Sequence, residues 1–196
     1  MSTKPKYFLG NDPDSKHNAF ALLDLKGNVV DAWTISSKNS SELTQIRSHM
    51  MEYANDRHPL LKEPFIAIVE GQKVYPPKNG KFDAKSNPDS QIKLARASGI
   101  GSYWIGSQIG CEEIQIVLPK DWKGQKKKGP HQMMIWKSLG IKATLRASNT
   151  YACPDEFMGM KLTQLKHVTD AIGLAQYGLD QYLWKARKEQ IKNGYT

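Results

Sequence analysis

Short apolar runs separated by turn residues characterise the first 36 residues of the chain. Residues 7–9 are apolar, residues 17–24 partly alternate between apolar and polar positions, and residues 28–35 form a third run. A turn that contains Gly27 connects the second run to the third, and a strand, a glycine turn and a strand are typical of a β-hairpin. The pattern therefore predicts a meander of three antiparallel strands.

Helical and strand patterns alternate through the rest of the chain. A helix is predicted over about residues 40–55, and the apolar run 65–69 has the length and composition of a buried strand. Residues 142–161 have a mixed pattern that predicts no element. The remaining predicted elements are a helix at about 89–108, a strand at 113–118, a helix from about 130 to 139 and a helix from about 162 to 188.

This order of elements, β-β-β-α-β-α-β-α-α, predicts an α/β fold. The expected sheet is mixed and five-stranded, antiparallel in its first three strands and parallel afterwards, and it is flanked by helices. The chain has 196 residues, enough for one domain with a full core, so we predict a single domain over residues 1–196. Ligands gather at the carboxyl ends of parallel strands in such sheets.

Composition favours an acidic partner. The formal net charge is +9 and the sequence pI is about 9.4, a balance typical of proteins that bind nucleic acid. Cys111 and Cys153 lack metal-ligand spacing and are interpreted as reduced thiols. No apolar run approaches the roughly 20 residues that a membrane span needs, and the first residues have no signal-peptide core. We therefore expect a cytoplasmic protein that does not contact a membrane.

Acidic residues stand where such a fold would bring them together. Asp12 and Glu70 follow the first and fourth predicted strands, and His167 and Asp170 are three residues apart on the last helix. A single acid at a strand end is usually a turn or cap residue, and a His/Asp pair on a helix is usually a surface pair. The combination is more specific, because hard oxygen ligands with one imidazole suit Mg²⁺ or Mn²⁺. Two such ions about 4 Å apart promote phosphodiester cleavage.

Four segments in order resemble a known family. With these segments the chain resembles the RuvC-type Holliday junction resolvases of the ribonuclease H-like superfamily, over about residues 6–183. The segments are Leu-Gly-Asn-Asp-Pro-Asp-Ser at 9–15, Ala-Ile-Val-Glu at 67–70, Leu-Ala-Arg-Ala-Ser-Gly at 94–99 and His-Val-Thr-Asp-Ala at 167–171.

The resemblance implies a ribonuclease H-like fold, a homodimer with two active sites and nicking of two opposed strands of a four-way DNA junction. It implies two Mg²⁺ ions per site, for which Mn²⁺ can substitute. It also implies that Asp12, Glu70, His167 and Asp170 are both the catalytic and the metal-binding residues, and that Asp12 bridges the two ions. His167 stands where members of the family have an acid or a histidine.

The chain departs from the family pattern at several positions. Asp14 replaces a glycine that is usual in the first motif. Lys73 stands near the position of an aromatic residue that wedges into the junction, and Tyr75 is predicted to take that part. The segments 75–88 and 142–161 are longer than in compact bacterial enzymes, which fits a phage or other divergent member acting in a host cytoplasm.

Two lysine-rich loops are predicted to contact DNA. The segment 120–129 contains five lysines and Trp122, and the segment 71–88 contains Lys73, Lys78, Lys81 and Lys85. Lysines beside a nuclease site neutralise backbone phosphates without reading bases, although a charge run is also typical of a solvated loop. Tyr103, Trp104 and Trp136 are predicted core or dimer contacts. The predicted DNA-binding residues are Lys73, Tyr75, Lys120, Lys126, Lys127 and Lys128.

These features predict a Mg²⁺-dependent, structure-selective endodeoxyribonuclease that resolves four-way junctions by paired symmetrical nicks. A ribonuclease H-like nuclease acting on flaps, forks or structured RNA is an alternative, as is a non-catalytic junction-binding module. One half of a sugar kinase or actin-like ATPase is a third class. It is disfavoured because the chain is too short for two such domains and has no second phosphate loop.

Overall fold

The computed structural model describes residues 4–14, 17–36, 59–71, 88–147 and 150–194. The predicted helix at 40–55 and the predicted DNA contacts Lys73 and Tyr75 lie outside these residues. The described strands are β1 (Tyr7–Asp12), β2 (His17–Asp24), β3 (Val29–Ser36), β4 (Phe65–Glu70), β5 (Cys111–Val117), β6 (Thr144–Arg146) and β7 (Tyr151–Cys153). The described helices are α1 (Pro88–Gly106), α2 (Pro119–Trp122), α3 (Lys128–Ser138) and α4 (Leu162–Gly194).

Five strands form one mixed sheet in the order β3-β2-β1-β4-β5. The first three strands are antiparallel, β4 runs parallel to β1, and β5 runs parallel to β4. The predicted mixed sheet is therefore confirmed. Strands β6 and β7 pair separately as a small hairpin, in the segment 142–161 where the sequence pattern predicted no element.

Alternate residues of each strand face opposite sides of the sheet, so the sheet has a core on each face. Phe8 of β1 belongs to a buried cluster with Val168 and Ile172 of α4, whereas its neighbour Leu9 packs with Trp104 of α1. The face covered by α4 also receives residues from α2 and α3. Side chains on that face at the ends of β1 and β4 consequently point toward three helices.

Helix α4 approaches the sheet most closely above Gly10. A Cβ at Gly10 would overlap the carbonyl oxygen of Ala171 and stand 2.7 Å from the amide nitrogen of Ala175. The absence of a side chain at position 10 thus lets the helix backbone lie directly on β1. Residues 165–175 of α4 are enclosed on all sides, apart from the half-buried Lys166. The crossing point fixes which residues of α4 lie above the end of β1.

Two expectations about the middle of the chain were wrong in part. Residues 120–122 of the predicted loop 120–129 belong to α2, and α3 begins at Lys128, two residues before Pro130. The loop prediction failed because Trp122 is buried despite its lysine-rich surroundings. Of the predicted core or dimer contacts, Trp104 and Trp136 are buried in the core; Tyr103 is 76% exposed, so its role as a dimer contact stays a prediction. None of the helices in the described ranges is long and apolar enough to cross a membrane.

Candidate active site

Asp12 and Glu70 end two neighbouring parallel strands. The register pairs Asn11 of β1 with Val69 of β4, so the two acids are the next residues along both strands. Both side chains lie on the face covered by α4, because they keep the alternation that places Phe8 and Ile66 there. Each acid is only 8% exposed. The sheet therefore holds two largely buried carboxyl groups side by side.

Helix α4 brings His167 and Asp170 to the same place. Asp170 immediately precedes Ala171, the residue that lies on Gly10, and His167 is about one turn earlier. The His167 Nδ1 atom lies 3.5 Å from Oδ2 of Asp12. Asp170 is 2% exposed and repels the Asp12 carboxylate electrostatically. Four residues that are distant in the sequence thus lie together at one end of the sheet.

Two lysines partly neutralise these acids. The Lys128 Nζ atom, at the start of α3, lies 2.5 Å from Oδ2 of Asp170. The Lys123 Nζ atom, just after α2, lies 3.2 Å from Oε2 of Glu70. Lys128, which the sequence analysis assigned to DNA binding, is therefore an ion-pair partner of the acidic cluster.

Two uncharged side chains also hold the acids in place. The Trp122 indole Nε1 donates a 2.8 Å hydrogen bond to Oε2 of Glu70. The Gln132 amide nitrogen donates to Oδ1 of Asp170 at 2.8 Å, while its oxygen accepts from the Ala152 amide at 2.8 Å. The contact with Ala152 fixes the orientation of the Gln132 amide, so its nitrogen must face Asp170.

Burial and mutual repulsion shape the electrostatics of the acidic cluster. Burial raises the pKa of Asp12, the hydrogen bond from His167 opposes that shift, and the charge of Asp170 adds to it. Burial likewise raises the pKa of Glu70, and repulsion by Asp12 adds to it against the attraction of Lys123. Burial lowers the pKa of Lys128, but attraction by Asp170 and Asp12 outweighs it, so the pKa lies above the ordinary value. The cluster consequently favours positive ligands.

The donor set fits a divalent cation in its chemistry. Three carboxylates and one imidazole are hard or borderline ligands of the kind that Mg²⁺ and Mn²⁺ accept. The ammonium groups of Lys123 and Lys128 supply positive charge next to two of the carboxylates. Within the described ranges, however, no three His, Cys, Asp or Glu side chains converge closely enough to form a metal-binding group. The four side chains therefore suit a divalent cation in their negative charge and ligand type, and two of the carboxylates pair with lysines in this structure.

The remaining predicted DNA contacts flank the acidic cluster. Lys120, Lys126 and Lys127 are exposed, and none of the ion pairs found among the described residues includes them. The connection from α2 to α3 is held against the acids at both ends, through Lys123 and Lys128. Lys126 and Lys127 lie between these two anchors and next to the acidic end of the sheet.

Comparison with solved structures identifies the fold. T. thermophilus RuvC in complex with Holliday junction substrate superposes with a TM-score of 0.60 at 13% sequence identity, covering 90% of this chain and 95% of that chain. The chain has a ribonuclease H-like fold. Fowlpox virus resolvase in complex with Holliday junction DNA gives a TM-score of 0.46 at 12% identity, covering 90% of this chain and 99% of that chain. No protein-family model and no curated protein matches the sequence significantly.

The sequence analysis missed three residues that touch the acids: Trp122, Lys123 and Gln132. Trp122 and Lys123 belong to the predicted lysine-rich loop 120–129. Gln132 lies in the predicted helix from about 130 to 139, where no sequence feature marked it as a site residue. One signal was available, because Trp122 is an apolar residue in an otherwise polar segment. Nothing local marked Gln132, since its partners are 20 and 38 residues away.

Proposed function

We propose that this protein is a Mg²⁺-dependent, structure-selective DNA endonuclease that resolves four-way junctions by paired symmetrical nicks. The observation that supports the proposal most directly is the gathering of Asp12, Glu70, His167 and Asp170 at one end of a ribonuclease H-like sheet. RuvC, which shares this fold, has been solved with a Holliday junction substrate. The basic charge of the chain and the exposed lysines beside the acids fit a nucleic-acid substrate.

The four residues have complementary roles in this proposal. Asp12, Glu70 and Asp170 hold the divalent cations, and His167 either completes the ligand set or accepts the proton of the attacking water. When bound, the cations stabilise the negative charge that develops on the attacking and leaving oxygens. Lys126 and Lys127 bind backbone phosphates and orient the scissile strand, and burial of the acids limits access of bulk water.

A homodimer follows from the geometry of the substrate rather than from any contact within one chain. A four-way junction has two opposed strands to be cut, so one site per chain requires two chains related by a two-fold axis. We therefore propose two copies of the protein per junction.

The test is a synthetic mobile four-way junction incubated with the protein, with and without Mg²⁺, and analysed by mapping nicks on each labelled strand. Paired nicks at symmetrical positions of opposed strands, dependent on Mg²⁺ or Mn²⁺, would support the proposal. Cutting only of flaps, forks or structured RNA in a parallel substrate panel would instead assign the same chemistry to a different substrate.

One observation favours a second candidate, a non-catalytic junction-binding module. Lys123 and Lys128 already pair with Glu70 and Asp170, and no three-ligand group forms among the described residues. Tight binding of the junction with no nicking in Mg²⁺ or Mn²⁺ would select this candidate.

A further inference from the structure

Trp122 connects the acidic cluster to the surrounding helices. The residue is 9% exposed, and its indole nitrogen donates to Oε2 of Glu70 across 52 positions of sequence. A tryptophan indole can only donate, so Oε2 of Glu70 is the acceptor in this contact, which is stronger when the carboxyl group is ionised. The contact therefore opposes, in part, the burial that raises the pKa of Glu70, and it fixes one orientation of the carboxyl group.

The indole is itself fixed from two sides. The ring of His131 on α3 packs edge-on against it, with the centroids 5.0 Å apart and the planes at 70°. On the other side the indole lies against the bare backbone of Gly173 on α4, where a Cβ would stand 2.7 Å from Trp122 Cζ3. Gly173 is three residues after Asp170, so the indole that binds Glu70 also contacts the helix that carries Asp170.

Both described polar contacts of Glu70 use the same oxygen. Trp122 and Lys123 each bind Oε2, at 2.8 and 3.2 Å. Among the described residues, Oε1 has no hydrogen-bond partner in the contacts found, and Asp12 lies beside this carboxylate. An indole that occupies Oε2 leaves Oε1 as the oxygen of Glu70 that is available to a cation.

We propose that Trp122 is a positioning residue that presents Oε1 of Glu70 to a divalent cation; this inference rests on the proposed function. Groups that orient a metal ligand from outside its coordination shell typically contribute roughly tenfold or more to metal affinity or activity. The Trp122 N–H is such a group, and its removal leaves Lys123 as the remaining described polar contact of the carboxylate.

The test compares Trp122→Phe with Trp136→Phe in the full chain. Trp136 is a matched control, because it is also a buried indole, and its Nε1 donates to a neutral partner, Oγ1 of Thr169, at 3.0 Å. Calorimetric titration with MnCl₂, without DNA, measures cation affinity independently of cleavage. We expect Trp122→Phe to weaken Mn²⁺ binding roughly tenfold, while Trp136→Phe lowers thermal stability and leaves Mn²⁺ affinity unchanged. Equal Mn²⁺ affinities of the two variants would overturn the inference.

A second measurement on the wild-type protein does not depend on folding of the variant. Each of the five tryptophans gives one indole N–H signal in a ¹⁵N spectrum. The Trp122 signal should be the first to broaden when paramagnetic Mn²⁺ is added. A wild-type chain that binds Mn²⁺ and nicks junctions without preferential broadening of this signal overturns the inference but leaves the proposed function intact. A chain that binds no Mn²⁺ overturns both.

Discussion

Gly10 of β1 lies directly beneath Ala171 of α4, with no space for a side chain between the strand and the helix backbone. This contact sets the height of α4 above the sheet and places Asp170, the preceding residue, over the end of β1. The convergence of Asp12 and Asp170 therefore depends on a glycine that carries no chemical function of its own.

Substitution Gly10→Ala should destabilise the protein and separate the acids. The added Cβ overlaps the Ala171 carbonyl oxygen, so the helix must shift; overpacking of this kind costs about 2–3 kcal/mol. For a chain of this size that corresponds to a melting temperature lower by roughly 5–10 °C. Gly99→Ala is the control, because Gly99 is an exposed residue of α1 with no atom near its Cβ position, and alanine there favours the helix. Equal melting temperatures for wild type and Gly10→Ala would contradict the close approach.

Without divalent cations, Asp12→Asn should stabilise the protein at neutral pH. The pKa of Asp12 is raised in the folded state by burial and by the charge of Asp170, so the folded chain retains this proton after the unfolded chain has lost it. The favourable contribution of protonated Asp12 to the free energy of unfolding is complete below its ordinary pKa. It is lost as the pH rises through the raised pKa of the folded state. Each pKa unit is worth about 1.4 kcal/mol. The difference in unfolding free energy between variant and wild type, from urea titrations between about pH 4 and pH 8, should grow with pH; a constant difference would contradict the shift.

Removal of a single acid should abolish cleavage and preserve junction binding. Asp12→Asn and Glu70→Gln remove a charge that the proposed cations require, whereas the phosphate contacts come from lysines elsewhere. The controls are Asp180→Asn on the exposed part of α4 and Glu63→Gln, whose carboxylate pairs with Lys6 before the start of β4. Cleavage in Mg²⁺ and gel-shift affinity in its absence provide the two readouts. Normal cutting by Asp12→Asn would show that the assigned site is wrong.

The consecutive lysines Lys126, Lys127 and Lys128 should divide into two classes. Lys126 and Lys127 are exposed, so their joint replacement by Ala should weaken junction binding and lower the salt dependence by a slope of roughly 0.9 per lost phosphate contact. Lys128 pairs with Asp170, so Lys128→Ala should reduce the cleavage rate of the bound junction as well. The double variant Lys185→Ala/Lys188→Ala, near the other end of α4, provides a control of equal charge. An unchanged slope for Lys126→Ala/Lys127→Ala would exclude that segment from the DNA interface.

Gln132→Glu should impair cleavage more than its effect on folding explains. The new carboxylate still accepts from the Ala152 amide but faces Oδ1 of Asp170 with a negative oxygen instead of a donor. We expect single-turnover cleavage to fall roughly tenfold or more, as for other groups that orient metal ligands. Gln176→Glu is the control, because Gln176 also links α4 to α3, through Ser138, but at the surface. Parallel losses of stability and rate in both variants would argue against an orienting role for Gln132.

The sequence by itself determined the five strands of the main sheet, their order along the chain and the two acids that end β1 and β4. Apolar runs and turn residues are local signals, and they predict that Asp12 and Glu70 lie at one end of the sheet if β1 and β4 pair in parallel, as they do. The i,i+3 spacing of His167 and Asp170 was equally local.

Only the tertiary structure decided which groups hold these acids. Trp122 and Gln132 reach them from α2 and α3, and the hairpin β6–β7 supplies the amide that orients Gln132. Lys128, which the sequence analysis predicted to bind DNA, pairs with Asp170 in the folded chain. The periodicity of the sequence does not predict such contacts, because they arise where separate elements pack against each other. That packing depends on side-chain volume, as the close approach of α4 to Gly10 shows.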